Sequence, residues 1–386
     1  MKNLDSAPAE GEAVRGPKGG KGEEESVSQL QLIWRDLKRH RLAMAAALVL
    51  IVLYALAFSS QFVSPYDPHR RFSDYLYASP TKLHFIDNSG DFHFRPFIYN
   101  YEQKLDPVTW RRTYHEDKEK KYFIHFFVRG DEYKFLGLFE TDLHLFGVEG
   151  EQPLFLFGAD SMGRDFFSRI LFGSRISLTI GLVGVFLSLV IGLILGGVSG
   201  LYGGYVDDLV QRFIEFLISI PQIPLWMGLS AALPPQWSQI KVYFGITIIL
   251  SIIGWTSIAR VVRGKFLSLR EEDFVMAAQA LGASKWRVIT RHLIPSFLSY
   301  IIVNVTLSIP GMILGETALS FLGIGLRAPT VSWGVLLQAA QNVRSISLHP
   351  WLLLPGAFVV ITVLAFNFLG DGLRDAADPY SALEGR

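Results

Sequence analysis

The stretch FVMAAQALGASKWRVITRHLIP, residues 274–295, is a short segment rich in small residues that lies between two long apolar runs of the chain. Its pattern predicts a helix that a glycine bends or ends, and a proline marks the beginning of the next element. The residues that carry this pattern are Ala277, Ala278, Ala280, Leu281, Gly282 and Pro295. Such a helix can enter a cleft on another protein. Alternatively, Lys285, Arg287 and Arg291 hold it on an anionic membrane surface.

The composition around this stretch is that of a polytopic membrane protein. Of 386 residues, 50% are hydrophobic and only 18% are charged, which is too apolar for a soluble protein of this length. The chain contains no cysteine, which excludes disulfides, zinc-thiolate sites and cysteine nucleophiles. The net charge of +1 carries little information, because the placement of Lys and Arg along a membrane protein is what matters.

Six apolar runs are candidates to cross the bilayer, since a helix rises about 1.5 Å per residue and the hydrocarbon core is about 30 Å thick. They cover residues 42–62, 176–198, 213–233, 242–262, 297–314 and 351–369. Pro221 and Pro224 interrupt the third run, which predicts a kinked helix. Glycines in the second run predict close packing against neighbouring helices. The first run is interpreted as an uncleaved anchor, with a cleaved secretory signal as the alternative.

The basic residues predict which side of the membrane each segment occupies. Lys and Arg are concentrated before residue 42 and in the loop between spans four and five, whereas the connection near Pro234 carries only Lys241. By the positive-inside rule both termini and this loop are cytoplasmic, and the long segment after the first span is outside.

These boundaries divide the chain into segments. Residues 1–28 are predicted to be a disordered cytoplasmic tail, because they contain almost no large apolar side chains. Residues 29–63 form an amphipathic lead-in and the first transmembrane helix. The core, 158–379, contains five more spans and the cytoplasmic loop 263–296, and 380–386 is a second cytoplasmic tail.

The segment 64–157 is polar, crowded with aromatic residues and predicted to be a small β-rich insertion outside the membrane. Apolar and aromatic stretches flank polar turns that contain glycine, which is typical of hairpins. The predicted hairpins pair 82–86 with 92–99 across 88–91, and 122–128 with 133–139 across 129–132.

Six histidines of the insertion lack the spacing of metal ligands, so no metal site is predicted. They are His69, His84, His93, His115, His125 and His144. Contact of the insertion with a delivery protein or with the rim of a pore is the favoured interpretation.

A polar turn precedes the second span. Apolar and basic residues then alternate at helical spacing over residues 166–175, which predicts an elbow helix in the membrane interface whose arginines reach headgroups or acidic partners. The elbow residues are Asp160, Gly163, Arg164, Asp165 and Arg169, together with Arg175.

Polar side chains inside the fifth span are candidates to face a translocation pathway. They are Asn304, Thr306, Ser308 and Glu316. Hydrogen bonding to a neighbouring helix is the alternative for each of them. For Glu316, near the outer end of the span, a further alternative is that the carboxylate reaches water.

Several long blocks, in order over residues 158–379, resemble the dipeptide and oligopeptide family of bacterial ABC importer permeases. The blocks are GADSMGRDFFSRILFGSRISL, GLYGGYVDDLVQRFIEFLISIP, AAQALGASKWRVITRHLIP, LSFLGIG and NFLGDGLRDAADPY. The first and last are similar to those of the C-type subunit. Within the opening stretch, the alanine pair, Gly282 and Pro295 match the spacing of the family's Glu-Ala-Ala loop. Met276 stands where the family usually has Glu, Ala159 where Thr is usual, and Glu215 where Asp is common.

This resemblance implies an all-α polytopic membrane protein with six transmembrane helices of the type I ABC importer permease kind and the β-rich extracytoplasmic insertion. It implies that Ala277, Ala278 and Gly282 belong to a coupling helix seated in an ATPase subunit. It further implies a homologous permease, two ATP-binding subunits and an extracytoplasmic binding protein as partners, in a bacterial inner membrane. No G-x-x-x-x-G-K-[ST] sequence occurs, so the chain is expected to be non-catalytic and to hold no cofactor, with ATP and Mg²⁺ on the partners.

Two other classes of protein are alternatives to this resemblance. A receptor or scaffold with a ligand-binding outer domain explains the insertion but not the spans rich in Gly and Pro. An ion-coupled transporter is expected to bury several charges at mid-membrane, and the spans contain few.

Overall fold

Long apolar helices and a four-stranded antiparallel sheet make up the described part of the chain. The structure, a computed structural model, describes residues 29–105, 107, 112–150 and 152–377. The predicted tails 1–28 and 380–386 lie outside the described residues.

The helices follow the predicted apolar runs, with short helices in the connections. The first seven are α1 (Gln29–Leu37), α2 (Arg41–Phe58), α3 (Ser60–Val63), α4 (Phe166–Tyr202), α5 (Gly204–Ser219), α6 (Gln222–Ala231) and α7 (Gln239–Leu269). The others are α8 (Asp273–Ala280), α9 (Lys285–Val288), α10 (Ile294–Ser296), α11 (Leu298–Phe321), α12 (Trp333–Leu337), α13 (Val343–Leu348) and α14 (Leu354–Ala377). A π-helical turn, Ile289–Leu293, joins α9 to α10, and 3-10 turns cover Gln338–Ala340 and Pro350–Leu353.

Five helices of the described chain are long and apolar enough to cross a membrane, and a bent pair makes up to six. The single helices are α2, α4, α7, α11 and Pro350–Ala377, and the bent pair is α5 with α6. We call the end of the spans where α2 stops and α4 starts the insertion end, and the end where α4 stops and α5 starts the loop end.

The third span is broken at Pro221, as the prolines predicted, and the break is sharper than a kink. It consists of α5 and α6, which lie at 86° to each other. A residue before proline is driven out of the helical region, and Ile220, before Pro221, is extended with φ −88° and ψ 128°. Ile220 and Pro221 therefore separate the two helices of this span.

The helices α4 and α7 pack closely through glycines, as the glycine content of the second span predicted. A Cβ added at Gly196 would lie 2.5 Å from the carbonyl oxygen of Ala259, and one at Gly192 would lie 2.7 Å from Cγ2 of Ile258. Real side chains cannot occupy such positions, so only glycine permits this approach of the two backbones.

The sheet lies within the insertion and has the strand order β1-β2-β3-β4. The strands are β1 (His84–Ile86), β2 (Phe92–Leu105), β3 (Arg112–Phe135) and β4 (Phe139–Val148). The first predicted hairpin is confirmed, because β1 pairs with β2 across the turn that follows Ile86. β2 then pairs with β3, and β3 with β4, with Phe97 opposite Phe123 and Phe126 opposite Phe146.

The second predicted hairpin was wrong about its turn. Residues 129–132 lie inside β3, where the pairing with β4 is irregular, and the chain reverses instead at 136–138. Leu136 and Gly137 take positive φ angles of 49° and 76°, the combination that a tight hairpin turn requires. Gly130 serves a different purpose, since a Cβ there would lie 2.7 Å from Cδ2 of His144.

Three hydrophobic cores lie among the described helices. The smallest joins α5 to α7. The largest joins α2, α4, α11 and α14 with the connection that contains Trp333. The second lies at the loop end, where Val262 and Phe266 of α7 pack with Val275 of α8, Val288 of α9 and Phe297. This second core fixes the opening stretch to the ends of two spans.

We predict that Gly196→Val lowers the thermal stability of the chain, because the added side chain forces α4 away from Ala259. Overpacking of this kind costs about 1–3 kcal/mol. The matched control is Gly264→Val in α7, where an added Cβ meets nothing within 4 Å. The melting temperatures of the two variants in detergent are compared, with size-exclusion chromatography used to follow the loss of folded protein on heating. Equal melting temperatures would contradict the close packing of α4 on α7.

Candidate functional site

The opening stretch forms a helix that ends at a glycine, as the sequence predicted. Gly282 has φ +83°, and the amide of Ala283 donates to the carbonyl oxygen of Ala278 at 3.0 Å. This is the usual way in which a glycine in the left-handed region satisfies the last carbonyls of a helix. The side chain of Ser284 then caps α9 by accepting from the amide of Arg287 at 3.3 Å.

The predicted coupling residues lie mostly on the exposed side of this segment. Val275 is fully buried in the loop-end core and anchors α8, whereas Leu281 is 89% exposed. Ala277, Ala280, Gly282 and Pro295 are exposed as well, and Ala278 is half-buried. Pro295 lies apart from the others, in α10.

Three large apolar side chains join this exposed surface, and the sequence reasoning did not assign them to it. Phe274, Met276 and Trp286 are all at least two-fifths exposed. A helix with one fully buried anchor leaves its remaining apolar groups unpartnered, and this contrast was the available signal. The loop surface, defined as Phe274, Met276, Ala277, Ala280, Leu281 and Trp286, is thus an apolar patch on an anchored support.

The basic residues of the loop do not all face outward. The Lys285 ammonium lies 3.9 Å from the ring centroid of Tyr202, at the end of α4. A cation over an aromatic face is held by the ring quadrupole, so this lysine packs against the permease helices. Arg287 and Arg291 are exposed.

A bidentate ion pair lies at the loop end of the spans. Arg263 of α7 contacts both carboxylate oxygens of Asp207 of α5, each at 2.5 Å. The hydroxyl of Ser199 in α4 also donates to Asp207, at 2.5 Å. A planar guanidinium bound by both nitrogens is geometrically restrictive, so the pair fixes three helices relative to one another.

The elbow residues form a second charged cluster, at the insertion end. Asp160 accepts from Nε of Arg164 at 2.8 Å and also binds the guanidinium of Arg169. Arg169 is buried, with 3% exposure, so its charge depends on this carboxylate. Three of the predicted elbow residues, Asp160, Arg164 and Arg169, therefore bond to one another.

The interfacial elbow helix was a wrong prediction. Residues 166–175 are the first turns of α4, which continues without a break to Tyr202. Asp165 caps this helix by accepting from the amide of Ser168 at 2.7 Å. Gly163 lies against the backbone of the insertion, because a Cβ there would lie 2.0 Å from the carbonyl oxygen of Phe72.

Glu316 is fully buried and is surrounded by serine hydroxyls. It accepts from Ser177 of α4 at 3.1 Å, from Ser320 at 2.8 Å and from Ser332 at 2.7 Å. The interpretation in which Glu316 reaches water is therefore wrong. The carboxylate connects α11 to α4 and to the segment that leads into α12.

The other pathway candidates bond to their own helix. Asn304 donates to the carbonyl oxygen of Tyr300 at 2.8 Å, Thr306 to that of Ile302 at 2.9 Å, and Ser308 to that of Asn304 at 2.7 Å. Each side chain is half-buried. Such bonds to the preceding turn leave the neighbouring-helix alternative without support for these three residues.

Comparison with known proteins places this geometry in a family. The model of the binding-protein-dependent transport system inner membrane component matches residues 164–380, more than half of the chain. The chain belongs to this family. A second model, the N-terminal TM domain of oligopeptide transport permease C, matches residues 28–80 of the permease.

Named relatives of this permease agree with the family. The dipeptide transport system permease protein DppC of Bacillus subtilis is 32% identical over 356 residues, 92% of this chain and 87% of that protein. The oligopeptide transport system permease protein OppC of Haemophilus influenzae is 43% identical over 224 residues, 58% of this chain and 70% of that protein. Among solved structures, a chain of the MetNI methionine ABC transporter in an inward-facing conformation is similar to this chain. The alignment covers 54% of this chain and 97% of that one, at 19% sequence identity and a TM-score of 0.42.

The permease is thus a non-catalytic, multi-pass membrane component of an ABC importer, as the resemblance implied. The residues 81–163, which contain the whole sheet, fall between the two family models. Among the described residues, no group of three or more His, Asp or Glu side chains could hold a metal ion.

The cap of α4 makes the stability of the permease depend on pH. Burial raises the pKa of the Asp165 carboxyl from 3.8 to about 7. Between these values the folded protein keeps a proton that the unfolded chain releases, so stability falls as pH rises from about 4 to about 7 and stays reduced above it.

We therefore predict that Asp165→Asn, which keeps a capping side chain but cannot ionise, raises the melting temperature more at about pH 8 than at about pH 5. The control is Asp74→Asn, at an exposed position of the insertion. Thermal melting of the purified complex at the two pH values gives the comparison. A gain that is equal at both would show that Asp165 does not titrate as its burial requires.

Proposed function

We propose that this permease imports peptides, which an extracytoplasmic binding protein delivers to a pathway formed with a homologous permease. Its named relatives are dipeptide and oligopeptide permeases, and one of them aligns with nearly the whole chain. Two ATP-binding subunits hold ATP and Mg²⁺ and supply the energy. The observation that carries the proposal is the loop surface, an exposed apolar patch on a helix anchored to two spans.

The proposed orientation puts both termini and the loop surface in the cytoplasm and the insertion outside. The described ends of the chain support a common side for the termini, because His40 before α2 lies 3.8 Å from Asp375 near the end of α14. Lys and Arg are concentrated at the same end, in α7 and in the loop before α11. That charge asymmetry favours the cytoplasm for the loop end.

In the proposed mechanism, the loop surface docks into a groove of an ATP-binding subunit. Closure of the ATP-binding subunits moves α8, and Val275 passes the movement to Phe266 of α7 and Phe297 before α11 through the loop-end core. Packed side chains transmit such a shift because interiors are dense and deform little. The spans then rock as rigid bodies and open the pathway to alternate sides.

Asp207 and Arg263 extend this connection to α4 and α5. Their two contacts join α7, near its end, to the first turn of α5. The bend of 86° lies between α5 and α6, in the middle of the third span. Such a break suits a gate, because the two halves are separate helices that can turn relative to each other.

Within the spans, Asn304, Thr306 and Ser308 are proposed to line the pathway. They lie within four residues of one another in α11 and are half-buried. Glu316 has a different proposed role, because its carboxylate is enclosed by Ser177, Ser320 and Ser332. It holds the connection before α12 against the insertion ends of α4 and α11.

The docking proposal predicts that Leu281→Asp weakens the association of the permease with its ATP-binding subunits. Leu281 is 89% exposed, so the substitution removes apolar surface without disturbing the core. The matched control is Val343→Asp, at a 77% exposed position of α13 beyond the opposite end of the spans. Copurification of the ATP-binding subunits with a tagged permease measures the effect.

The expected result is loss of the ATP-binding subunits from the Leu281 variant and full recovery from the Val343 variant. Gly282→Pro adds a second disruption, because proline cannot adopt the φ of +83° that ends α8. Normal recovery of the subunits with both loop variants would contradict the docking assignment.

A further inference from the structure

The turn between β3 and β4 is unusual because it is apolar and exposed. The five residues Phe135 to Phe139 contain no polar side chain, and Leu138 is 80% and Phe139 57% exposed. Hairpin turns in water are normally built from Gly, Asn and Asp. We call residues 135–139 the apolar turn.

The apolar turn lies beside the end of the first span. The amide of Leu136 donates to Oε1 of Gln61 at 3.2 Å, and Gln61 belongs to α3, directly after α2. Phe127, further from the turn along β3, also lies near α3, and the centroids of its ring and of the Phe62 ring are 6.4 Å apart. The hairpin is therefore fixed to the point at which the chain leaves the membrane.

The length of the first span gives the depth of this point. The helix α2 runs from Arg41 to Phe58, about 27 Å at about 1.5 Å per residue, and Gln61 follows three residues later, so the end of this span lies close to the far side of a hydrocarbon core about 30 Å thick. If Arg41 lies at one surface of the bilayer, Gln61 lies at the other. The apolar turn, bonded to Gln61, is then at the level of the lipid headgroups and the first methylene groups.

The charges around the apolar turn match this depth. Lys134 and Glu140, on either side of the turn, form an exposed ion pair at 3.1 Å. An apolar tip flanked by a basic and an acidic side chain suits a boundary where acyl chains meet zwitterionic headgroups. Phe127, which is exposed as well, lies with its ring beside that of Phe62, so the apolar surface continues from the tip of the hairpin to the exit of the first span.

We propose that the apolar turn inserts into the lipid leaflet on the insertion's side and anchors the β-sheet to the bilayer surface. The partner is the lipid bilayer itself, at the boundary between headgroups and acyl chains. The side of the membrane follows the proposed orientation, which makes this the outer leaflet. The anchor would limit the tilt of the insertion relative to the spans, at two points: the exit of α2 and the tip of the hairpin.

A labelling experiment tests this directly, since the chain has no native cysteine to compete with an introduced one. Leu138→Cys, and Phe139→Cys as a second position within the turn, each carry a nitroxide label in the complete transporter reconstituted in phosphatidylcholine vesicles. Collision rates with oxygen, which concentrates in lipid, are compared with those of a water-soluble nickel complex. The control is Leu105→Cys, a 48% exposed leucine whose partner Arg112 begins β3, at the far end from the turn.

The proposal expects the ratio of oxygen to nickel collisions to exceed one at the turn and to fall below one at position 105. Nickel accessibility at both turn positions equal to that at position 105 would place the turn in water and overturn the proposal. Protection from both reagents would mean that a protein covers the turn, and this result would overturn it as well. The readout requires no substrate, so a negative result would leave the proposed transport function intact.

Discussion

The ion pair between Asp207 and Arg263 joins the loop ends of three helices, and the arrangement of the permease around its loop depends on it. Arg263 lies one turn before the last buried residue of α7, Phe266, which packs against the anchor of the opening stretch. Asp207 lies in the first turn of α5, where a carboxylate is also favoured by the helix dipole. The pair is partly exposed, so its removal costs less than the about 3–5 kcal/mol measured for fully buried pairs. Its importance is geometric.

Polar contacts hold the rest of the helix bundle at both ends, and buried serines also join α4 to α7 between them. Near the loop end, glycines let α4 approach α7 until their backbones touch at Gly196 and Ala259. At the insertion end, Asp160 holds two arginines, and Glu316 holds hydroxyls from two neighbouring segments. Long helices with polar ties at their ends and close packing between them move as units, which is what alternating access by rigid-body rocking requires.

The spans, the first hairpin and the helix end at Gly282 could be predicted because each has a local signal: an apolar run, a polar turn or a glycine. The break at Pro221 carried such a signal too, but its angle depends on how α6 packs on α7. The partners of Arg169 and Arg263 could not be predicted, because a single sequence does not show which distant carboxylate an arginine meets. The second turn was misplaced for a related reason: Gly130 accommodates the ring of His144, which is a contact between strands and not a local preference. The receptor alternative rested on the insertion alone, and the family membership of the remaining chain removes it.

The central proposal of this account is that movement of the loop, after reaching α7 through the loop-end core, passes on to α4 and α5 through Asp207 and Arg263. The most direct measurement is the number of peptides imported per ATP hydrolysed in proteoliposomes that contain the complete transporter. The account predicts that Asp207→Asn lowers this ratio while the ATP-binding subunits remain attached. Glu215→Gln, which removes a carboxylate from the exposed pair with Arg212 on the same helix, is predicted to leave the ratio unchanged. An unaltered ratio in the Asp207 variant would contradict the proposal.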